Sequence, residues 1–342
     1  MNTDPSAAGR SLRSASVQFE PRPDDKAFNL ARMREFVDTA SLDGVQLVVF
    51  PEMCSIGYWH LRNYSLEQLR AIAEPQDGPT VTAIRELATS VGIGIGVGFL
   101  EAGDNGRLYN SYAVCLPDGT MHCHRKLHAF ENVEIESGDA FTVFDTPWGV
   151  RAAILICWDN NLVENVRAVA LDGAELLIAP HQTGGTNSRS PHGMKPVPVE
   201  LWENRHEDPQ AIVDAFQGPS GRGWLMRWLP ARAHDNGLFL IFSNGVGRDD
   251  DEIRTGNAMI LDPYGRIIAE STAAADDMVV ADLDLDLLPL STGRRWNQGR
   301  RPELYGILVE RTGQERDARA TRFSAEPVPR PTRPRPEEKH TW

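Results

Sequence analysis

The chain is short of cysteine, of long apolar runs and of positive charge, and each shortage removes a class of function. Its four cysteines, Cys54, Cys115, Cys123 and Cys157, have no CxxC spacing, so no disulfide framework is expected and each is judged as a free thiol. No stretch approaches the length needed to span a bilayer, and the opening "MNTDPSAAGR" lacks the basic start and apolar core of a secretory signal. A cytoplasmic protein without a membrane partner is therefore expected. With 35 Lys and Arg against 48 Asp and Glu, a formal charge of -13, the chain offers no broad basic field to a phosphate backbone or to anionic lipid. No nucleic-acid partner is expected, and small molecules are the natural substrates. A dinucleotide loop is also missing: in "VGIGIGVGF", Gly92, Gly94, Gly96 and Gly98 alternate with Ile93, Ile95, Val97 and Phe99, and no third glycine falls where GxGxxG needs one. That period belongs to a strand with one bare face, against which another element can lie close.

What is present is an ordinary globular composition over 342 residues, 41% hydrophobic and 24% charged, enough for a substantial core. Strand-like runs, among them "SASVQFE", "VQLVVF", "AILI", "ELLIAP" and "LFLIFSN", alternate with helical spacing at Phe28, Leu30, Met33, Phe36 and Val37, from Pro79 to Ala88, and from Leu162 to Ala170. "WLMRWLPARAHDNG" reads as one more helix. No linker divides this body, so one α/β domain of mixed sheets with helices outside is expected over residues 14–311, after a leader at 1–13. Periodicity fails from His181 to Arg222, and a long insertion at about 182–222 is expected to act as a lid or binding element. From Thr312 to the end apolar residues thin out, which predicts a tail over 312–342, disordered or packed on a partner subunit.

Three apolar strands run out into reactive groups: Glu52 after "VVFP", Lys126 after "HCHR" and Cys157 after "AILI". Strand ends are rigid enough to hold catalytic side chains. A thiol beside a carboxylate of raised pKa can lose its proton during attack, and an ammonium can hold the charge that develops. Taken singly, each residue also has a plain structural reading: a buried core thiol, a loop acid, a surface lysine. "HCHRKLH" gathers His122, Cys123, His124 and His128, a rival metal site. On a strand, however, His122 and His124 face away from Cys123.

With their flanks, "FPEMCSIGY", "HRKLHAF" and "ILICWDNN" resemble the three signature segments of the nitrilase superfamily of carbon–nitrogen hydrolases, in that order and at the expected separations. The resemblance continues through "VRAVALDGAELLIAP", "PARAHDNGLFLIFSNGVG" and "TGNAMILDPYGRIIAE". It implies a four-layer αββα sandwich, covalent thiol catalysis without metal or organic cofactor, and a homodimer or higher homo-oligomer. Carried over by position, it makes Glu52 the general base, Lys126 the stabiliser of the tetrahedral intermediate and Cys157 the nucleophile, with Trp158 lending a backbone N–H to the oxyanion. A second glutamate is expected shortly after the lysine. Glu131, Glu134 and Glu136 are candidates, and Glu134 is favoured by its spacing from Lys126 and its place before "SGD".

Tyr58, Asp159 and His181 complete the expected substrate-binding set, although Asp159 reads equally as a helix cap. Of the residues from the insertion, His181, His192, Trp202, Glu203, Arg205 and His206, one or two are expected to touch ligand. Asn160 and Asn161 stand where carbamoyl-amino-acid hydrolases carry arginines, so a carboxylated substrate would need a cation from Arg189, Arg205 or another insertion residue. Trp158-Asp159 resembles the amidase and carbamoylputrescine-amidase-like branches rather than nitrilases. The expected reaction is hydrolysis of a small amide. A nitrile, an N-carbamoyl amine, acyl transfer or a non-catalytic binding relative are the alternatives.

Overall fold

The computed structural model describes residues 9–324 and 326–328. Among the described residues fourteen strands form in chain order. The first seven are β1 (Ser11–Phe19), β2 (Leu47–Val49), β3 (Gly94–Ala102), β4 (Leu108–Cys115), β5 (Met121–Arg125), β6 (Ile135–Glu136) and β7 (Thr142–Asp145). The others are β8 (Arg151–Ile154), β9 (Leu176–His181), β10 (Phe239–Asp249), β11 (Glu252–Thr255), β12 (Met259–Leu261), β13 (Ile267–Glu270) and β14 (Asp277–Asp284).

Side-chain alternation turns these strands into layers. Odd positions of β8 and β9 and even positions share no core: Ala152, Ile154, Leu176 and Ile178 meet Leu47, Val49, Tyr112, Val114, Phe239 and Ile241 in one apolar cluster. Their neighbours Ala153, Leu177 and Ala179 face the other way, onto Val166, Val169, Leu229 and Ala233 of two helices, Val163–Leu171 and Leu229–Asn236. On the opposite side Val48, Ile95, Val97 and Ala113 pack on Met33, Val37, Ile84 and Ala88 of the helices Lys26–Leu42 and Pro79–Val91. Period-two burial on both faces of each sheet, with an amphipathic helix pair outside, is the physical content of an αββα sandwich.

Strands β1, β2 and β3 are parallel, as are β8, β9 and β10, and each half ends in an antiparallel extension. β1 and β10 pair in parallel at Gln18–Asn244 and Phe19–Gly245, which joins the two halves. Parallel crossovers leave the loops after the strands free at one edge, the usual place for ligands in such sheets.

The structure differs from the sequence reading in three places. "WLMRWLPARAHDNG" is two helices, Arg222–Leu225 and Leu229–Asn236, because Pro230 can open a helix but cannot continue one. Residues 182–222 are not structureless: Val199–Glu203 and Pro209–Gln217 are helices, and Val197, Trp202, Ile212 and Phe216 bury themselves with Val246 and Ile253 in a small core. In the expected tail, Ala318–Phe323 is a helix that packs on its own chain, with Ala318 buried among Leu61, Leu69 and Phe130. The expected leader and tail otherwise fall largely on residues 1–8 and 329–342, outside the described residues. β1 itself begins at Ser11, inside the span read as leader.

Candidate active site

Glu52 follows β2 by three residues, and the bare face of β3 sets its height. A Cβ on Gly98 would lie 2.2 Å from the Met53 nitrogen and 2.8 Å from the Glu52 carbonyl carbon, so only glycine lets this loop settle on the strand. Gly96 gives the same room to the Tyr112 ring, whose hydroxyl donates to the Phe50 carbonyl at 2.6 Å. Gln182 fixes the loop from the other side, donating to the Glu52 carbonyl at 2.8 Å. Met53 adopts φ 51°, strained backbone for a side chain this large.

Beneath the loop lies a fully buried cluster of one ammonium and two carboxylates. Lys126 Nζ donates to Glu52 Oε1 at 2.7 Å and, more tightly, to Glu131 Oε1. Asn110 on β4 donates to both acids, at 2.7 Å to Glu52 and 2.9 Å to Glu131. Tyr58 donates to Glu131 at 3.2 Å, and the Phe130 N–H donates to its other oxygen at 2.9 Å. Glu52 Oε2 is buried with no hydrogen-bond partner among the described residues. An ammonium has three donors, so two serve the carboxylates and one remains.

The charges sort accordingly. Burial raises the Glu52 pKa to about 7, with Lys126 opposing and Glu131 reinforcing. Burial also works on Glu131, but Lys126 and the convergent donors outweigh it and hold that acid below its ordinary range. Lys126 is pulled above its ordinary range because Glu131 and Glu52 together outweigh the cost of burying it.

Cys157 ends the apolar run after β8 with φ 49°, a second strained residue, and opens a short 3-10 turn, Cys157–Asn161. Backbone donors in the first turn of such an element lack intrahelical acceptors, which leaves the Trp158 N–H in an exposed-donor position. Burial, then the negative charge of Glu52, pushes the Cys157 thiol up, against the pull of Lys126. The thiol thus senses both residues named with it in the sequence.

Asp159 locks the two loops together. Its buried carboxylate accepts from Ile156 N at 3.1 Å on the cysteine loop, and from Leu127 N at 3.1 Å and His128 N at 2.9 Å on the lysine loop. Arg232 braces the same turn through the carbonyls of Asn160 and Asn161 at 2.8 and 2.7 Å. His181, at the end of β9, is wedged against Phe242 and Trp228. The Asn160 amide donates to Leu155 O at 2.8 Å and to His181 Nε2 at 3.1 Å, which places the ring proton on Nδ1. Burial, aided by Lys126, keeps this ring neutral.

Cys157, Trp158, His181 and Tyr58 line one pocket of about 180 Å³ with Trp59, Phe130, Asn161, Gln182, Thr183 and Trp224. It is small and lined by both aromatic and polar side chains, suited to a compact ligand rather than a polymer. Glu134, the favoured second glutamate, is exposed, as is Glu136, and Glu131 is the acid in the cluster. Asp159 is the clamp just described and does not line the pocket. Of the insertion candidates only His181 reaches it: Trp202 stacks on Phe216, Arg205 covers Trp202, Glu203 pairs with Arg248, and His192 and His206 are exposed. Asn110, Gln182 and Arg232 were missed by sequence reasoning, and Glu131 was named as a candidate but ranked behind Glu134. The signal available for Glu131 was its place after the apolar "LHAF", whereas Glu134 and Glu136 sit among polar residues.

The metal rival fails on direction. His122 stacks on Phe144 at 4.1 Å, His124 meets Thr142 at 3.1 Å, and His128 faces Asn165 at 3.1 Å. Among the described residues no three His, Cys, Asp or Glu side chains gather as metal ligands. Among them, too, no helix is long and apolar enough to cross a membrane.

Known proteins resemble this chain along nearly its whole length. An (R)-stereoselective amidase of Pseudomonas sp is 32% identical over 308 residues, covering 88% of this chain and 96% of that protein. An N-carbamoylputrescine amidase of Arabidopsis thaliana is 27% identical over 322 residues, covering 89% and 97%. Among solved structures, a variant of the amidase from Nesterenkonia sp. AN1, with the acetamide moiety of fluoroacetamide added to its active-site cysteine, superposes with a TM-score of 0.66. That match has 21% identity and covers 90% of this chain and all of the other, so it speaks for the αββα fold. The Carbon-nitrogen hydrolase family pattern matches residues 13–207 and 215–289, and with the fold and the relatives in agreement the chain belongs to the carbon–nitrogen hydrolases of the nitrilase superfamily, enzymes acting on C–N bonds other than peptide bonds.

Proposed function

We propose that the protein is an amidase in which Cys157 is the nucleophile, Glu52 the general base and acid, Lys126 and the Trp158 N–H the oxyanion site, and Glu131 the second glutamate. One observation carries this reading: the strained Cys157 turn lies within electrostatic reach of a dry Glu52–Lys126–Glu131 cluster whose base has an unpartnered oxygen and a pKa of about 7. That value suits a group that must take and return a proton near neutrality.

Sulfur attacks the amide carbon while its proton passes to Glu52, and the carbonyl π electrons move onto oxygen, which takes the spare Lys126 donor and the Trp158 N–H. The C–N bond then breaks as Glu52 hands its proton to nitrogen, releasing ammonia or amine and leaving a thioester. Water enters, gives a proton to Glu52 and attacks the same carbon. The C–S bond breaks, the acid leaves, and sulfur regains the proton from Glu52. Glu131 takes no proton: held ionised, it keeps Lys126 charged and aimed.

The experiment is ammonia release from short amides, carbamoyl compounds and nitriles, run beside Cys157→Ala. Amides should react and the alanine variant should lose at least about 10³-fold in kcat. Turnover of nitriles alone, or an active Cys157→Ala enzyme, would overturn the assignment.

We also infer a homo-oligomer. Val163, Leu171, Trp296, Leu308 and Val309 expose apolar side chains around one pocket on the outer helix layer, the kind of surface that a second copy can cover.

A further inference from the structure

The same pocket is also lined by Glu252 and Arg254 of β11 and by Thr321, Arg322 and Ser324, so part of it comes from the C-terminal helix Ala318–Phe323. This helix is fastened to its own chain at several points. Asp317 caps it through Ala320 N at 2.7 Å, Arg319 donates to the Phe130 carbonyl at 3.0 Å, and Phe323 stacks on Trp59 at 6.4 Å. Arg189 of the insertion donates to the Phe323 carbonyl at 2.5 Å. Arg189 and Arg205, the cations that the sequence offered for a substrate anion, do not line the pocket.

The two guanidinium groups that do line it differ in how they are satisfied. Arg254 is held by Asp249 at 2.7 Å and Glu252 at 2.8 Å, so its charge is spent within the protein. Arg322 lies 3.8 Å from Glu252, beyond hydrogen-bond reach, and among the described residues its one hydrogen bond is to the Asn187 carbonyl at 3.3 Å. Around it stand the Phe130 and Phe323 rings, at 6.0 and 5.5 Å. Burial weighs most against its charge; Glu252 favours that charge, while Arg254 and Arg189 add repulsion. An arriving carboxylate would relieve that repulsion and could take both faces of the fork.

We propose that Arg322, delivered by the C-terminal helix of the same chain, is the subsite for a carboxylate at the far end of the substrate, and that the preferred substrates are short amides carrying such an anion. This rests on the amidase reading above. It accounts for a pocket that has no arginine after the cysteine, where Asn160 and Asn161 stand, yet keeps one under-paired cation in the same lining as the thiol.

The test compares the monoamide of glutaric acid with n-valeramide, equal in chain length and different in terminal charge. Wild-type kcat/KM should favour the anionic amide by at least about tenfold, carried by KM. Arg322→Ala should lower that ratio to near one, and Arg322→Lys should keep an intermediate ratio, since a point charge replaces a fork. Calorimetry on the inactive Cys157→Ala protein should show the anionic amide binding more tightly, and the difference should vanish in the Cys157→Ala, Arg322→Ala double variant. If both amides react without preference, or the ratio survives Arg322→Ala in a protein of unchanged melting temperature, the subsite is refuted while the amidase reading stands. If neither amide releases ammonia, both fall together.

Discussion

Replacing Glu131 by glutamine removes a charge from the buried cluster while keeping its shape, and the structure fixes the direction of the result. Glu52 and Glu131 both bond one ammonium, Glu52 at 2.7 Å and Glu131 more closely, so their oxygens are no more than about 5 Å apart. At an effective dielectric of about 20, two unit charges at about 5 Å interact by roughly 3 kcal/mol, or about 2 pH units on a single titration. In the variant this repulsion disappears, and Lys126 is left to Glu52 alone. Both changes favour ionised Glu52, whose wild-type pKa of about 7 includes an upward push from Glu131. Because the base must be ionised to accept the thiol proton, kcat/KM should rise with pH through about 7 in the wild type. In Glu131→Gln the acid limb should move down by at least about one unit, even as the maximum rate falls. The assay is initial-rate ammonia release across pH at constant ionic strength, with intact folding checked at each pH. An acid limb that stays in place or moves up would refute the electrostatic account, since neither outcome follows from losing a neighbouring anion.

Asp159→Ala should strip three N–H groups of their acceptor, a buried one at Ile156 and half-buried ones at Leu127 and His128, and destabilise the protein by about 2–3 kcal/mol in chemical denaturation. The loss should appear in kcat more than in KM, with Asp159→Asn recovering part of both; a stable, fully active alanine variant would show that the clamp does not position the two loops. Val309→Glu, at a side chain 86% exposed, should leave folding intact but shift the assembly toward a smaller species in sedimentation analysis. Unchanged mass would place any contact elsewhere.

The sequence made the frame legible because its signals were local. Alternation in β1, β8 and β9 and the glycine period of β3 follow from which side chains face which layer, and Glu52, Lys126 and Cys157 stand where those apolar runs stop. The remaining residues of the site act across distance. Asn110 looks like any polar residue within a strand, and nothing in "YNSYAVCL" says that it bridges two acids. Spacing favoured Glu134 over Glu131, but the chain turns inward directly after Phe130, and the buried acid is the one at that turn. Asp159 fits by spacing a cap for the helix near Leu162, but that helix, Val163–Leu171, has no side-chain cap; Asp159 instead accepts from Ile156 N, and its bonds to residues 127 and 128 come from another loop and have no local signature. The C-terminal helix is harder still, because its composition resembles a solvated tail. Its order comes from Trp59, Phe130 and Asn187, all far away along the chain.

Under the mechanism proposed above, the Glu52–Lys126–Glu131 cluster also accounts for how so deeply buried a thiol as Cys157 would act as a nucleophile. Burial holds the sulfur protonated at rest, above its ordinary range, whereas Glu52 near 7 is a much weaker base than a thiolate in that setting. A resting ion pair of thiolate and protonated Glu52 is therefore disfavoured, and the proton can leave only as sulfur bonds to carbon. At that moment charge is relocated rather than created. Before attack, the ionised site holds Lys126 against Glu52 and Glu131, one net negative charge. In the tetrahedral intermediate Glu52 is neutral and the substrate oxygen carries the charge, so the total is the same and the same ammonium faces it. The dry interior is asked to solvate no additional ion, which is the condition under which preorganised donors stabilise a transition state most.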